Sequence, residues 1–329
     1  MPPTKPDNTV EYTLHPALVA FLAQANAIGA VRRAQGYEHT PVNMRENLDV
    51  MTRRFVSAPV EVEQVVDTLV PGHGADPAVP VRIYRVASAP PRPVIVFAHG
   101  GGHMAGSVSV YDGIARRVAR ATGHVVVSVE YRLAPECPYP AGLRDLITVL
   151  GGVYTSLERR GIGHLRALTV MGDSGGAAIT ASAVHAMADH AEINIAHQVL
   201  IYPSLDYSFS QASMDDLGEG YLLERERIQW LFDHYLPAST DRRAVSPLFM
   251  DIPDHYPGTL VITAGFDPLR DEGAAYVQRL RAAGHDAELE VFTDMIHAFL
   301  NLEDLVPEAC ARCYARIADF VNAQPLRGR

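Results

Sequence analysis

With 329 residues, 48% hydrophobic and 20% charged, the chain has the make-up of a globular protein with room for one large α/β domain or two small ones. A formal charge of −10 without any cluster of Lys or Arg argues against nucleic acid or an anionic membrane as partner. No run of 18 or more apolar residues is present to span a bilayer, and the polar, Pro-broken start is unlike a secretory leader. Three cysteines are too few, and odd in number, for a disulfide framework, so the expected compartment is the reducing cytoplasm.

In chain order, the first periodic segment is residues 14–29. There Leu14, Leu18, Phe21, Leu22 and Ala25 form an apolar stripe on an isolated amphipathic helix. Residues 63–70 and 80–86 alternate like two half-exposed, antiparallel strands. From there apolar runs at 93–98, 124–132, 167–174, 196–203, 258–265 and 287–292 read as strands. Helical spacing at 111–122, 141–160, 175–190, 270–283 and 307–323 separates them, the pattern of βαβ units on a parallel sheet. Residues 205–237 interrupt this rhythm with a Gly/Ser/Asp-rich loop and a helix bearing Trp230, Leu231 and Tyr235. Cys310 and Cys313 form a C-x-x-C, but on a helical face with no second ligand pair, so packing is expected rather than zinc or redox chemistry.

Two stretches carry chemistry. Gly172-Asp173-Ser174-Gly175-Gly176 fits G-x-S-x-G where a strand becomes a helix, the context in which a tight turn exposes the serine hydroxyl. A serine nucleophile needs a base and an orienting acid. His297 falls in a loop past the last strand, and Asp267 follows the strand ending at 265, so both lie at the carboxyl edge of the sheet. Asp271 and Glu272 are rival acids, placed instead at a helix start where they serve the dipole. His99, His103 and His285 are rival bases. The second stretch is His99 followed by Gly100, Gly101 and Gly102 at the mouth of a core strand. Bare backbone N–H groups of Gly101 and Gly102, joined by Gly175, are the expected donors to an oxyanion. His99 is then a brace for the loop. The loop lacks the endings of a P-loop or a dinucleotide site, and no carboxylate or thiolate completes a metal site with His99 and His103. No metal and no cofactor are expected.

HGGG at 99–102 with Gly106 beyond, YRLAPE at 131–136, GDSGG at 172–176, DPLRDE at 267–272 and His-Ala-Phe at 297–299 occur in that order. Together they resemble the hormone-sensitive-lipase family of bacterial esterases, a group of α/β-hydrolases, from about residue 60 to the C-terminus. The resemblance implies an α/β-hydrolase fold, a mostly parallel twisted sheet flanked by helices with a helical cap. It also implies a cofactor-free serine carboxylesterase acting on short- to medium-chain acyl esters. On it Ser174 is nucleophile, His297 base, Asp267 orienter, and Gly101, Gly102 and Gly175 oxyanion donors. The chain departs from the family pattern at Gly175, where alanine is usual, at His103 and Met104, where a bulky aromatic is common, and at Ala298, where glycine is usual. His103 and Met104 are accordingly taken as substrate-binding positions.

The expected organisation is a catalytic core of residues 51–204 and 249–329, with residues 1–50 and 205–248 as cap segments over the strand ends. The alternative for the two extra helices is that they pad the core. The partner is a small-molecule ester, and the last strand offers an edge for a homodimer. An amidase, a lyase, or a ligand-binding receptor on the same scaffold are the alternative functions; a receptor usually lacks a triad residue, and all three candidates are present.

Overall fold

In the computed structural model, residues 12–323 are described, save 73, 75, 87–89, 189 and 191–192. The outermost parts of the expected cap and core, residues 1–11 and 324–329, therefore lie outside the described residues. Eight strands among the described residues form one sheet in the order β1-β2-β4-β3-β5-β6-β7-β8. They are β1 (Gln64–Val70), β2 (Val79–Arg85), β3 (Arg92–Ala98), β4 (Val125–Val129), β5 (His164–Asp173), β6 (Ile195–Ile201), β7 (Gly258–Phe266) and β8 (Ala287–Ile296). β1 pairs antiparallel with β2, and β2 antiparallel with β4; every later pairing is parallel.

Burial explains the sequence patterns. β1 alternates half-buried with exposed residues, as an edge strand with one solvated side does. β4 and the apolar stretch of β5 are buried without a break because helices cover both faces of the sheet. On one face α3 (Asp112–Thr122) packs beside α9 (Pro307–Ala323). On the other lie α4 (Ala141–Arg159), α5 (Gly175–Met187) and α8 (Arg270–Ala282). Cys310 and Cys313 are both buried in α9 among apolar neighbours, and burial pushes both thiols up. Cys137 is half-buried.

Outside this frame stand α1 (Pro16–Ala34), α2 (Pro41–Phe55), the short α6 (Ser213–Asp216) and α7 (Arg225–Tyr235). The stripe is core on its inner side: Leu18 and Leu22 of α1 are buried, and Phe21 of α1 and Leu14, two residues ahead of it, pack partly buried against the same cluster. The helix is tied to the sheet where His15 N–H donates to the Asp294 carbonyl of β8. α2 was not anticipated. Its start is nonetheless marked: Thr40 accepts from Asn43 N–H, the Asn43 side chain accepts from Thr40 N–H, and Pro41 takes the first helical position. Its apolar residues Met44, Leu48, Met51 and Phe55 are spaced helically, but charged and polar residues outnumber them and obscure the stripe. The expected boundary at 50/51 falls inside α2, and that at 248/249 inside a 3-10 turn, Pro247–Phe249.

Candidate active site

Ser174 stands alone between the end of β5 and the start of α5, at φ 53° and ψ −123°. A non-glycine residue at positive φ is strained and needs its surroundings to hold it. Ser174 N–H donates to the Ile201 carbonyl, and its own carbonyl accepts from Ala177 N–H. A Cβ on Gly176 would lie 2.2 Å from the Ala98 carbonyl oxygen and 2.3 Å from that of His99, so the helix start can approach β3 this closely only with glycine there.

Ser174 Oγ lies 2.8 Å from His297 Nε2, and His297 Nδ1 lies 2.8 Å from Asp267 Oδ2. His297 follows the end of β8, and Asp267 follows the end of β7, so three parallel strands deliver the three groups to one edge. Asp267 is fully buried, and its other oxygen accepts from Leu269 N–H at 2.9 Å, which fixes the carboxylate plane. Tyr202 stacks edge-on against the His297 ring at 4.9 Å.

The glycine loop lies against the elbow. A Cβ on Gly175 would meet His103 N at 2.9 Å and Gly102 N at 3.2 Å. Gly101 has φ 125° and Gly102 φ 61°; a Cβ at Gly101 would overlap the Ala105 carbonyl at 2.1 Å. Among the described residues, none accepts a hydrogen bond from the backbone N–H of Gly101, Gly102 or Gly175. Gly175 follows the serine directly, and Gly102 packs against Gly175.

Sequence reasoning missed what Asp173 does, although the motif contains it. Its Oδ1 accepts from Gly100 N–H at 2.6 Å, and its Oδ2 accepts from the hydroxyls of Tyr111 at 3.1 Å and Tyr202 at 3.4 Å. Burial pushes this carboxyl up to about 7, against the pull of the Gly100 N–H and the Tyr111 hydroxyl. One side chain next to the nucleophile therefore ties the glycine loop to the elbow. No spacing rule marks it; only the register of β3 beside β5 brings the two together.

The rival residues are accounted for by other contacts. His99 is buried, its Nδ1 2.8 Å from the Gly100 carbonyl and its ring stacked on Tyr131, and burial pushes it down to about 4. His103 is buried with its ring 3.7 Å from that of Tyr235 and nearly parallel to it, and burial pushes it down to about 3. His285 sits before β8, at the opposite end of the sheet, beside Tyr256. Asp271 accepts from Ser213 N–H and pairs with Arg270. Glu272 does not merely serve a helix dipole: it is buried and accepts from the N–H groups of Leu205 and Asp206, pinning the start of the 205–248 insertion.

Above the glycine loop lies α7. A Cβ on Gly102 would run into the Leu231 side chain at 2.6 Å, and Met104 is buried in one cluster with Leu231, Phe232 and Tyr235. Among the described residues there is no group of three or more His, Cys, Asp or Glu placed to hold a metal ion, and no helix long and apolar enough to cross a membrane.

Comparison with known proteins agrees with this fold. Residues 95–301 match the family model described as alpha/beta hydrolase fold. The carboxylic ester hydrolase LipN of Mycobacterium tuberculosis is 31% identical over 301 residues, 89% of this chain and 78% of that protein. The ethyl acetate hydrolase of Pseudomonas putida is 32% identical over 236 residues, 70% of this chain and 74% of that one. Among solved structures, a hyperthermophilic esterase from the archaeon Pyrobaculum calidifontis superposes with a TM-score of 0.84 at 30% identity, covering 94% of this chain and 98% of that one. With its sheet order, its elbow and these relatives together, the chain belongs to the α/β-hydrolase family, in the branch that resembles hormone-sensitive lipase.

Proposed function

We propose that the chain is a serine carboxylesterase that hydrolyses short- to medium-chain acyl esters through an acyl-enzyme on Ser174. The observation that carries this reading is the unbroken run of contacts from Ser174 Oγ through His297 to Asp267, each at 2.8 Å. Ser174 Oγ attacks the acyl carbonyl while its proton passes to His297 Nε2. Asp267 keeps the other imidazole nitrogen protonated and the ring in plane. The oxygen of the tetrahedral intermediate takes its negative charge toward the N–H groups of Gly101, Gly102 and Gly175, fixed dipoles that need no reorganisation during the step. The leaving alcohol takes the proton from His297, and water repeats the sequence on the acyl-enzyme.

On this reading α1, α2 and residues 205–248 form a cap over the strand ends, and His103 and Met104 form the rear wall of the pocket. Support comes from their position between the glycine loop and α7. The reading also includes a reducing, cytoplasmic compartment, supported by three cysteines that are all unpaired, and β8 as the edge of a homodimer.

An aryl phosphonate, tested by peptide mapping, should label Ser174 and abolish turnover of 4-nitrophenyl esters from acetate to laurate. A label on the buried Ser128 or Ser182 instead would overturn the assignment.

A further inference from the structure

Arg45, on α2, lies in a segment to which no catalytic motif belongs, yet its guanidinium reaches two loops at the site. Its Nε donates to the Met104 carbonyl at 2.9 Å, and its Nη2 to the Ala134 carbonyl at 3.0 Å. Nη1 and Nη2 also donate to the two oxygens of Glu136, at 2.9 and 2.6 Å, a bidentate pair that fixes the plane of the fork.

One carbonyl lies in the glycine loop and the other in the loop beside it. Met104 closes the tight turn of the glycine loop, where Met104 N–H and Ala105 N–H donate back to the Gly101 carbonyl. Ala134 lies in the neighbouring loop, and its N–H donates to the His103 carbonyl. Two adjacent segments are thus stapled twice, once through His103 and Ala134 directly and once through Arg45. The Arg45 side chain is 34% exposed and that of Glu136 60%, so water could reach this corner in place of the guanidinium. An exposed ion pair of this kind adds little to stability. Its contribution is geometric, because water would satisfy the carbonyls without fixing their separation.

We propose that Arg45, oriented by Glu136, is a positioning residue that sets the oxyanion N–H groups of Gly101 and Gly102 by holding the Met104 carbonyl; this rests on the ester-hydrolase reading above. Four bonds from one planar fork meet two carbonyls and a carboxylate at once, which a lysine ammonium does not reproduce.

The test uses the full chain and Arg45→Ala, Arg45→Lys and Glu136→Gln, with 4-nitrophenyl butyrate as substrate. Arg45→Ala should lower kcat about tenfold while KM stays within about twofold, since oxyanion donors act on the transition state rather than on the bound ester. Affinity for a trifluoromethyl ketone, which forms the tetrahedral adduct, should fall by the same factor as kcat/KM. Arg45→Lys should recover little of the loss. Millimolar guanidinium chloride should restore part of the Arg45→Ala rate and leave the wild type unchanged. A merely structural role predicts the reverse pattern: a lower thermal midpoint, an unaltered kcat for the folded protein and no rescue. That pattern would overturn the proposal. Should Arg45→Ala give no cooperative melt, Glu136→Gln decides: a fall in kcat of about threefold at an unchanged thermal midpoint supports it, and wild-type kcat overturns it. A wild type that hydrolyses no ester would bring down the ester reading and this premise with it. An active wild type with unaffected variants brings down Arg45 alone.

Discussion

The elbow and the N-terminal helices are assembled by different means. At the elbow, backbone meets backbone: the glycine loop, β3 and the start of α5 approach so closely that added Cβ atoms would overlap carbonyl oxygens. α1 and α2 meet the body through side chains, Leu18 and Leu22 in the core and Arg45 and Thr52 through hydrogen bonds, while Val19, Ile28, Val31, Val42 and Val50 face solvent. Backbone contact leaves no room to vary a residue without moving the site. Side-chain contact lets most of a helix surface vary, with only its few inward residues held.

That contrast is tested most strongly by activity. Ser174→Ala and His297→Ala should each lower the ester hydrolysis rate roughly a million-fold, and Asp267→Asn about ten-thousand-fold, with folding preserved in all three. Rates with 4-nitrophenyl acetate and thermal melts check this. A loss confined to KM in any of the three would remove that residue from the chemistry.

A second test uses the buried carboxyl that joins loop to elbow. Asp173 ionises near 3.8 in an unfolded chain and is held protonated up to about 7 in the fold. The stability associated with its raised value is therefore full below about 3.8 and is lost as pH rises through 7. Asp173→Asn stays neutral throughout. Its stability relative to wild type should rise between pH 4 and pH 8, by at most about 4 kcal/mol at roughly 1.4 kcal/mol per pKa unit. Urea titrations at the two pH values measure it; parallel behaviour of the two proteins would show that Asp173 is ionised already at low pH.

The smallest effects sharpen the comparison most directly, because the chemical change is the same in both regions. Gly176→Ala should destabilise by about 3 kcal/mol, since the new methyl meets the Ala98 carbonyl at the end of β3 and the His99 carbonyl just past it. Gly29→Ala, in α1, meets nothing nearer than an Arg33 side-chain nitrogen at 3.6 Å and should stabilise by about 0.5–1 kcal/mol. Equal signs in denaturant melts would erase the distinction between the two kinds of contact.

The same distinction accounts for what could be read in the sequence. Ser174, Asp267 and His297 were legible because each follows a strand of a parallel sheet, and strand ends converge once the sheet is recognised. Gly101 and Gly176 stand out in the sequence because a side chain there would overlap backbone carbonyls. α2 was hidden by its polar majority, although Thr40, Pro41 and Asn43 mark its start. Arg45 carries no local mark at all; its partners are 59 to 91 residues away in sequence, and only the folded chain brings them together. Glu272 was misread for a related reason, because its position in a first helical turn says nothing about the Leu205 and Asp206 amides facing it.

The distribution of the thiols has a practical consequence. Cys310 and Cys313 are sealed within α9 with their thiols driven up by burial, which leaves Cys137 as the half-buried thiol among the three. It follows Glu136 directly in the chain, in the loop that Arg45 staples to the glycine turn. A maleimide fluorophore therefore has one favoured attachment point in the native protein, next to the loop that Arg45 holds. Its emission would report on the loop as substrate enters, without any cysteine having to be introduced or removed.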